Sequence, residues 1–313
     1  MGDLFEIKEI KPMLIGENQE AFDSPDYIYE LKLDGERCIA YLDKDDTDLR
    51  NKRNVKMLTK VPELSTIHKQ VKKRCILDGE LIVIKDGKPD FYEIKRRSLM
   101  SNSFKIQLAS SKLPASFTAF DILYYYDHQV TDLPLIERKK LLQKVIKENE
   151  RLAISHYIEE QGIQFYQLAK ENDLEGIVAK RKDSKYYFDK KTKNWIKIKY
   201  LLDDDFVVCG YILKGGGVIS IVLGQYSNED LIYKGHATLG VSAEDFQIIK
   251  STPKLSSQPF NVLPAGNDNA VWIELNLVCI VKFMMKTVNG GLRQPVFKGL
   301  RDDKMPKECV IKP

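Results

Sequence analysis

Long apolar stretches are missing from this chain. The longest uncharged run near its C-terminal end, residues 275–281, holds seven residues. About 20 are needed to cross a bilayer, so no membrane helix is expected. The first twelve residues alternate charged and apolar side chains without a continuous apolar core, so no secretory leader is expected either. Cysteine is sparse and scattered: Cys38, Cys75, Cys209, Cys279 and Cys309 stand at least 30 residues apart. That spacing offers neither a zinc knuckle nor a small disulfide framework. There is no repeat with a period of 20–50 residues and no low-complexity tract. With 43% hydrophobic and 30% charged residues the composition is ordinary globular, which excludes disordered and collagen-like chains. The expectation is a soluble protein of a reducing, cytoplasmic compartment. At 313 residues it is long enough for about two domains.

The net charge of +4 says little by itself, but its distribution says more. Residues 181–199 hold eight basic side chains against two acidic ones, and residues 95–112 hold five basic, no acidic and five serines. Two basic segments with interleaved aromatics on a nearly neutral chain fit a nucleic-acid footprint. A solvated lysine-rich face would have the same composition.

The first two hundred residues mix strand and helix patterns. Residues 27–33 and 38–42 are rich in aromatic and β-branched side chains and flank Asp34-Gly35, which predicts two strands joined at a tight turn. Leu64, Ile67, His68 and Val71 recur at helical spacing after Pro62. Residues 75–84 and 116–125 predict buried strands, Pro134 opens a helix carrying Leu135, Leu142, Val145 and Ile146, and Ile163, Tyr166 and Ala169 mark another. Past residue 202 the texture changes to short strands with turn signals. Residues 206–213 and 218–223 flank Gly215-Gly216-Gly217, a further strand follows at 231–234, and one long strand is expected over 271–285. This predicts an α+β domain over residues 1–202 and a small all-β barrel over 203–313.

The chemistry lies in an ordered series. Glu30-Leu31-Lys32-Leu33-Asp34-Gly35-Glu36-Arg37 comes first, then Arg53, then Leu77-Asp78-Gly79-Glu80-Leu81. Phe120-Asp121-Ile122-Leu123, Glu175-Gly176-Ile177-Val178-Ala179-Lys180 and Trp195-Ile196-Lys197-Ile198-Lys199 follow, and Pro295 to Lys304 close it with Arg301-Asp302-Asp303-Lys304. Lys197 and Lys199 alternate with isoleucines, so on a strand both ammoniums share one face while Ile196 and Ile198 face a core.

Taken together these blocks resemble the ATP-dependent DNA ligases, within the covalent nucleotidyltransferase superfamily that includes mRNA capping enzymes and RNA ligases. All six nucleotidyltransferase motifs are present in order, and the likeness covers nearly the whole chain. It is greatest to the compact bacterial and viral ligases that pair a mixed, largely antiparallel nucleotidyltransferase (ATP-grasp-like) domain with an OB-fold.

The resemblance implies a mechanism and its residues. Lys32 attacks the α-phosphate of ATP and expels pyrophosphate, so its amine must be neutral, and Lys197, Lys199, Arg37 and a bound Mg²⁺ or Mn²⁺ are the cations available to lower its proton affinity. Asp34 serves the later strand-joining steps. Arg37 and Arg53 bind phosphate and ribose oxygens. Glu80 accepts from the ribose, Glu175 helps hold the metal, and Phe120 stacks on adenine with Val178 over its other face. Glu30 accepts from the adenine amino group. Arg301 and Lys304 reach the β- and γ-phosphates when the OB domain closes. Only 31 residues precede Lys32, so no encircling helical domain is expected, and the short turn at Gly215 leaves no long latch. Nicked duplex DNA would then be held by the two domains of a monomer, with Arg96, Arg97, Lys105, Lys182, Lys185 and Lys190 as contacts, mostly to phosphates. An RNA ligase or a GTP-using capping guanylyltransferase remains the alternative. The blocks at 120–123 and 295–301 favour the DNA ligases, and intact Lys32, Lys197 and Lys199 argue against an inactive binding protein.

Overall fold

Eleven-residue strands need both faces covered, and that requirement shapes the first part of the chain. The computed structural model describes residues 3–200, 202–287 and 290–311. The chain divides into two compact units, Met1–Tyr200 and Leu201–Pro313. The architecture is mixed α+β, with most of the backbone in curled sheets.

Two sheets make up the first unit. The larger is ordered Thr47–Asn51, Glu36–Leu42, Cys75–Lys85, Ala115–Tyr125 and His128–Gln129, with Lys88–Pro89 and Leu152–Ile154 at its margins. Its central strands are antiparallel, with Arg37 opposite Glu80 and Glu80 opposite Thr118. The smaller sheet is ordered Leu14–Asn18, Lys191–Lys199, Gly176–Arg181, Tyr27–Leu31 and Tyr157–Glu159. Ile196 and Ile198 lie in its core with Tyr29, Ala169 and Ile177, so the lysine–isoleucine alternation splits between the two faces as expected.

The helix Leu135–Val145 sends consecutive cations into the two sheets. Arg138 forms a fully buried two-pronged pair with Asp121 of the larger sheet, at 2.8 and 2.9 Å. Lys139 reaches Glu30 of the smaller sheet at 2.6 Å. Neighbouring positions on a helix point about 100° apart, so one helix can clamp two sheets.

Several local expectations change. Tyr27–Leu31 and Glu36–Leu42 are strands, but they do not pair: each belongs to a different sheet. The chain at Asp34-Gly35 is therefore a crossing between sheets, not a hairpin turn. Glycine is needed there because a Cβ on Gly35 would lie 2.2 Å from the Leu81 carbonyl oxygen. The apolar pattern after Pro62 forms two 3₁₀ turns, Pro62–Leu64 and Ile67–Gln70, not one α-helix. The basic segment at 95–112 is mostly helical, in Phe91–Leu99 and Ser103–Lys112, each capped by an asparagine or aspartate side chain.

In the second unit Leu202–Leu213 is buried on both faces, with Phe206 and Val208 in one cluster and Val207 and Cys209 in another. It pairs with Ile219–Ser227 through the glycine turn, where Gly216 and Gly217 take φ values of 73° and 77°. Asp230–Ala237, Val278–Phe283 and Val296–Arg301 continue the sheet, and Leu239 meets Val296 to close it into an OB-like barrel. The strand expected over 271–285 is interrupted. Ala270–Trp272 and Val278–Phe283 are separate, because the chain turns at Glu274, whose carbonyl accepts from Asn276 at 2.9 Å. The helix Ala243–Ser251, not foreseen, packs Ile249 and Phe246 on the barrel core.

Arg97 is not placed for DNA. Its side chain is 1% exposed and grips Glu63 at 2.8 and 2.9 Å, the Lys60 carbonyl and the Ser110 hydroxyl. A guanidinium inside the protein needs this many acceptors, and in a charge-rich segment sequence alone does not say which arginine turns inward. Arg97→Ala leaves Glu63 buried without its cation, and the expected cost is about 3–5 kcal/mol of stability. Denaturant unfolding checks this. An unchanged midpoint together with weaker DNA binding would restore Arg97 as a surface contact.

Candidate active site

One pocket collects six of the expected nucleotide residues. Glu30, Lys32, Arg37, Glu80, Phe120 and Val178 line it, together with Lys180 and Trp195. All are supplied by strands of the two sheets or by the crossing between them.

Lys32 follows Tyr27–Leu31, and its backbone N–H donates to the Gly176 carbonyl at 2.9 Å. Gly176 has φ 132° and no room for a Cβ, which would meet the Ile198 carbonyl oxygen at 2.1 Å. This close approach brings Glu175 to Lys32. The Lys32 ammonium donates to Glu175 Oε2 at 2.7 Å, and Lys199 lies 3.1 Å from Oε1. Burial pulls the Lys199 ammonium below its usual range; the Lys32 charge acts the same way and Glu175 opposes both. Lys197 lies opposite Val178 in the ladder and outside the pocket lining. Asp34 is half-buried on the crossing beside Lys32.

Arg37 is held by Asp78, Nε to Oδ1 at 2.9 Å and Nη2 to Oδ2 at 2.5 Å. Burial works against its charge, but Asp78 outweighs this and raises the guanidinium above its ordinary range. Tyr186 donates to the same carboxylate at 2.7 Å. Burial pushes Glu80 up to about 8, although the charges of Arg37 and Lys32 oppose it.

Phe120 and Trp195 meet edge to face at 5.9 Å. Two cations lie over these rings: the Arg37 guanidinium is 5.0 Å from Phe120 and the Lys180 ammonium 4.4 Å from Phe120 and 4.3 Å from Trp195. Lys180 also reaches Glu30 at 3.2 Å. Burial pulls Lys180 down to about 8 against the pull of Glu30. Glu30 is thus flanked by two buried lysines, Lys139 and Lys180.

Sequence reasoning passed over Lys180, Asp78 and Trp195 as site residues. All three lie inside the blocks it quoted, but their roles come from partners far along the chain. Lys139 gave no signal, since it is one of three consecutive basic residues on a helix. Arg53 is exposed on the turn after Thr47–Asn51 and does not line the pocket. Arg96, Lys182 and Lys185 are on the surface, each paired with an acid: Glu93, Glu159 and Asp132.

In the second unit Asp205 gathers the two expected cations. Arg301 Nη1 lies 2.9 Å from Asp205 Oδ1, and Lys304 lies 2.6 Å from Oδ2. Arg301 also holds Asp303, through Nε to Oδ1 at 2.8 Å. Burial works against the Asp205 charge, but the hydrogen bonds from Lys304 and Arg301 keep its carboxylate below the usual range. Asp205 closes the acidic run Asp203-Asp204-Asp205 near the start of the strand Leu202–Leu213.

Among the described residues no cluster of three or more metal-ligating side chains exists. The acids at the pocket are Glu30 and Glu80 in its lining and Glu175 beside Lys32, and Glu30 is taken up by Lys139 and Lys180. One or two carboxylates suit Mg²⁺ arriving with a nucleotide, since that ion keeps several waters and shares substrate phosphates.

The pocket sets a lysine beside a carboxylate, next to an aromatic wall and buried polar groups. Residues 12–199 match the ATP dependent DNA ligase domain family, and residues 214–304 match the ATP dependent DNA ligase C terminal region. The SPbeta prophage-derived DNA ligase-like protein LigB of Bacillus subtilis is 27% identical, over 93% of this chain and 99% of the relative. The multifunctional non-homologous end joining protein LigD of Pseudomonas aeruginosa is 27% identical over 91% of this chain, which spans only 34% of that longer protein. A mycobacterial DNA ligase D complexed with ATP and MES matches over 97% of this chain with 25% identity and a TM-score of 0.57. A Lig E DNA ligase described as binding DNA with a minimal scaffold shares the fold over 93% of this chain, with a TM-score of 0.63 at 16% identity. No helix is long and apolar enough to cross a membrane among the described residues. The chain belongs to the family of ATP-dependent DNA ligases.

Proposed function

We propose that the protein seals 5′-phosphate/3′-hydroxyl nicks in duplex DNA as a cytoplasmic monomer, through lysyl-AMP on Lys32 and then a DNA-adenylate. The observation that carries this reading is the Lys32–Glu175–Lys199 cluster at the edge of a pocket walled by Phe120, Val178 and Trp195.

In the first step Lys32 Nζ forms a bond to the α-phosphorus and the bond to the β-phosphate oxygen breaks, releasing pyrophosphate. The amine attacks only after giving up its proton, and Glu175 is the base in contact with it. Lys199 and Lys197 offset the charge that develops on the phosphoryl oxygens. A magnesium ion held by Glu175 would supply further charge neutralisation at the phosphates. Phe120 and Val178 sandwich the adenine. Glu30 accepts from its 6-amino group, where guanine offers a carbonyl oxygen that this carboxylate would repel. Lys139 and Lys180 hold the Glu30 carboxylate in place. Glu80, with Arg37 beside it, meets the ribose. Arg301 and Lys304, preset by Asp205, orient the pyrophosphate as leaving group. Asp34 serves the later steps, in which the DNA 5′-phosphate takes the AMP from Lys32 and the 3′-hydroxyl displaces AMP. Arg53, Arg96, Lys182 and Lys185 are offered to phosphates, the last three by exchanging their surface carboxylates.

Lys32→Ala should abolish self-adenylation and the sealing of an ordinary nick, while sealing of a nick that already carries 5′-AMP continues in part. Label transfer from ATP to the alanine variant would show that the nucleophile is misassigned.

Arg301→Ala and Lys304→Ala should each slow adenylation by about 10² to 10³, the usual effect of losing a transition-state donor, and spare sealing of the pre-adenylated nick. Asp205→Asn, which keeps the shape but releases both cations, should move the same step in the same direction by less. Equal losses in both steps, at normal melting temperature, would make these residues DNA contacts instead.

Glu80 also gives a pH signature. In the fold it keeps its proton up to about 8, against about 4.5 in the unfolded chain. Between these values the native state binds the extra proton, so stability from this group falls as pH rises. Glu80→Gln removes that loss. Its melting-temperature gain over the nucleotide-free parent should grow from about pH 5 to about pH 9. A gain that stays flat with pH would place Glu80 in a well-solvated setting.

A further inference from the structure

The larger sheet has a second functional-looking end. The ladder pairs Leu42 with Cys75 and Cys75 with Tyr125, so three connections converge at the end away from Glu80 and Arg37. They are the turn after Leu42, the segment leading into Cys75 and the turn at Tyr126. Together they wall a groove of about 610 Å³. Lys44, Lys69, Lys72 and Lys73 line it, with Asp43 as the acid in the lining. None of the four lysines forms an ion pair among the described residues. Arg74, also in the wall, is spent on structure: it binds Asp3, Asp127 and the Tyr126 carbonyl.

Tyr126 sharpens the character of this groove. It has φ 58°, a left-handed conformation that costs a bulky residue energy, and the residue is 52% exposed. The turn is clipped in place by its own backbone: Tyr126 N–H donates to the Arg74 carbonyl at 2.8 Å, and Arg74 Nε donates back to the Tyr126 carbonyl at 2.7 Å. The ring stands out beside Lys73, whose ammonium lies 5.5 Å from its centre. Unpaired lysines around an exposed aromatic are suited to a sugar–phosphate strand, with ammoniums on phosphates and the ring against a sugar or base.

We propose that this groove is a second DNA-contact site, taking the phosphate backbone of the duplex some distance from the nick. This rests on the proposed nick-sealing activity. From Arg37 to Leu42 the sheet extends five residues, about 17 Å at strand rise. That corresponds to roughly five nucleotides along a strand at about 3.4 Å each. The contact is therefore made only by a duplex arm longer than about five base pairs.

The test uses the full chain and nicked duplexes closed at both ends by hairpin loops, with one arm at a time shortened from about 15 to about 5 base pairs. The variant is Lys69→Ala/Lys72→Ala/Lys73→Ala. Self-adenylation from ATP, which needs no DNA, is measured in parallel with melting temperature. Normal adenylation in the variant and parent separates this proposal from the Lys32 reading: if neither adenylates, that reading fails first. The parent should bind the long-armed nick more tightly than the short-armed one. The variant should lose roughly ten- to hundred-fold on the long arm only, and its slope of log affinity against log salt should flatten by about 3. No loss, or an equal loss on short and long arms, overturns the proposal, and an acidic protein segment would then be the better occupant for the groove.

Discussion

The nucleotide pocket exists because one helix holds two sheets together through buried charge. Arg138 and Lys139 are adjacent on Leu135–Val145, yet one locks Asp121 in the larger sheet and the other locks Glu30 in the smaller. Buried ion pairs add little net stability, because desolvation offsets most of their attraction. What they fix is geometry. Removing Arg138 would leave Asp121 inside the protein without its cation, and removing Lys139 would leave Glu30 with Lys180 alone. Asp121 follows Phe120, and Glu30 precedes Lys32 by two residues. The clamp therefore ties the strand that carries Phe120 to the strand that leads into Lys32.

The same rule of paired charge governs the pocket itself. Arg37 is positioned by Asp78, Lys180 by Glu30, and Lys32 with Lys199 by Glu175. Each of these four cations has an acid that orients it. Asp205 does this for Arg301 and Lys304 in the second unit. Burial displaces the proton affinities of Glu80 upward and Lys180 downward in the same pocket. The pairing also means that bound phosphates meet cations already in place.

Much of the site was legible because covalent neighbours carried it. Lys32, Asp34 and Gly35 are contiguous, Glu175 and Val178 share a strand start, and Lys197 and Lys199 announce their common face by alternation. Strand patterns were also readable where apolar residues fill both faces, as in Cys75–Lys85. Errors arose where neighbours in sequence part in space. The Asp34-Gly35 segment looks like a hairpin turn by composition, but its flanking strands find different partners. Arg97 looks like its neighbour Arg96, but Glu63 and Ser110 draw it inside. The interruption comes from the turn at Glu274, which apolar patterning over 271–285 does not report.

By itself the sequence determined the order of the reactive groups, the two-part organisation and the class of chemistry, because those depend on residue type and spacing along the chain. Only the tertiary structure decided which charges are spent on the fold and which remain for a ligand. Arg97, Arg138 and Lys139 are buried with acids, Lys180 lies over Phe120 and Trp195, and Lys69, Lys72 and Lys73 stand unpaired around Tyr126. A lysine or arginine is the same residue in composition in every one of these places. What it does is set by the partner that folding brings to it, and that partner lies tens of residues away along the chain.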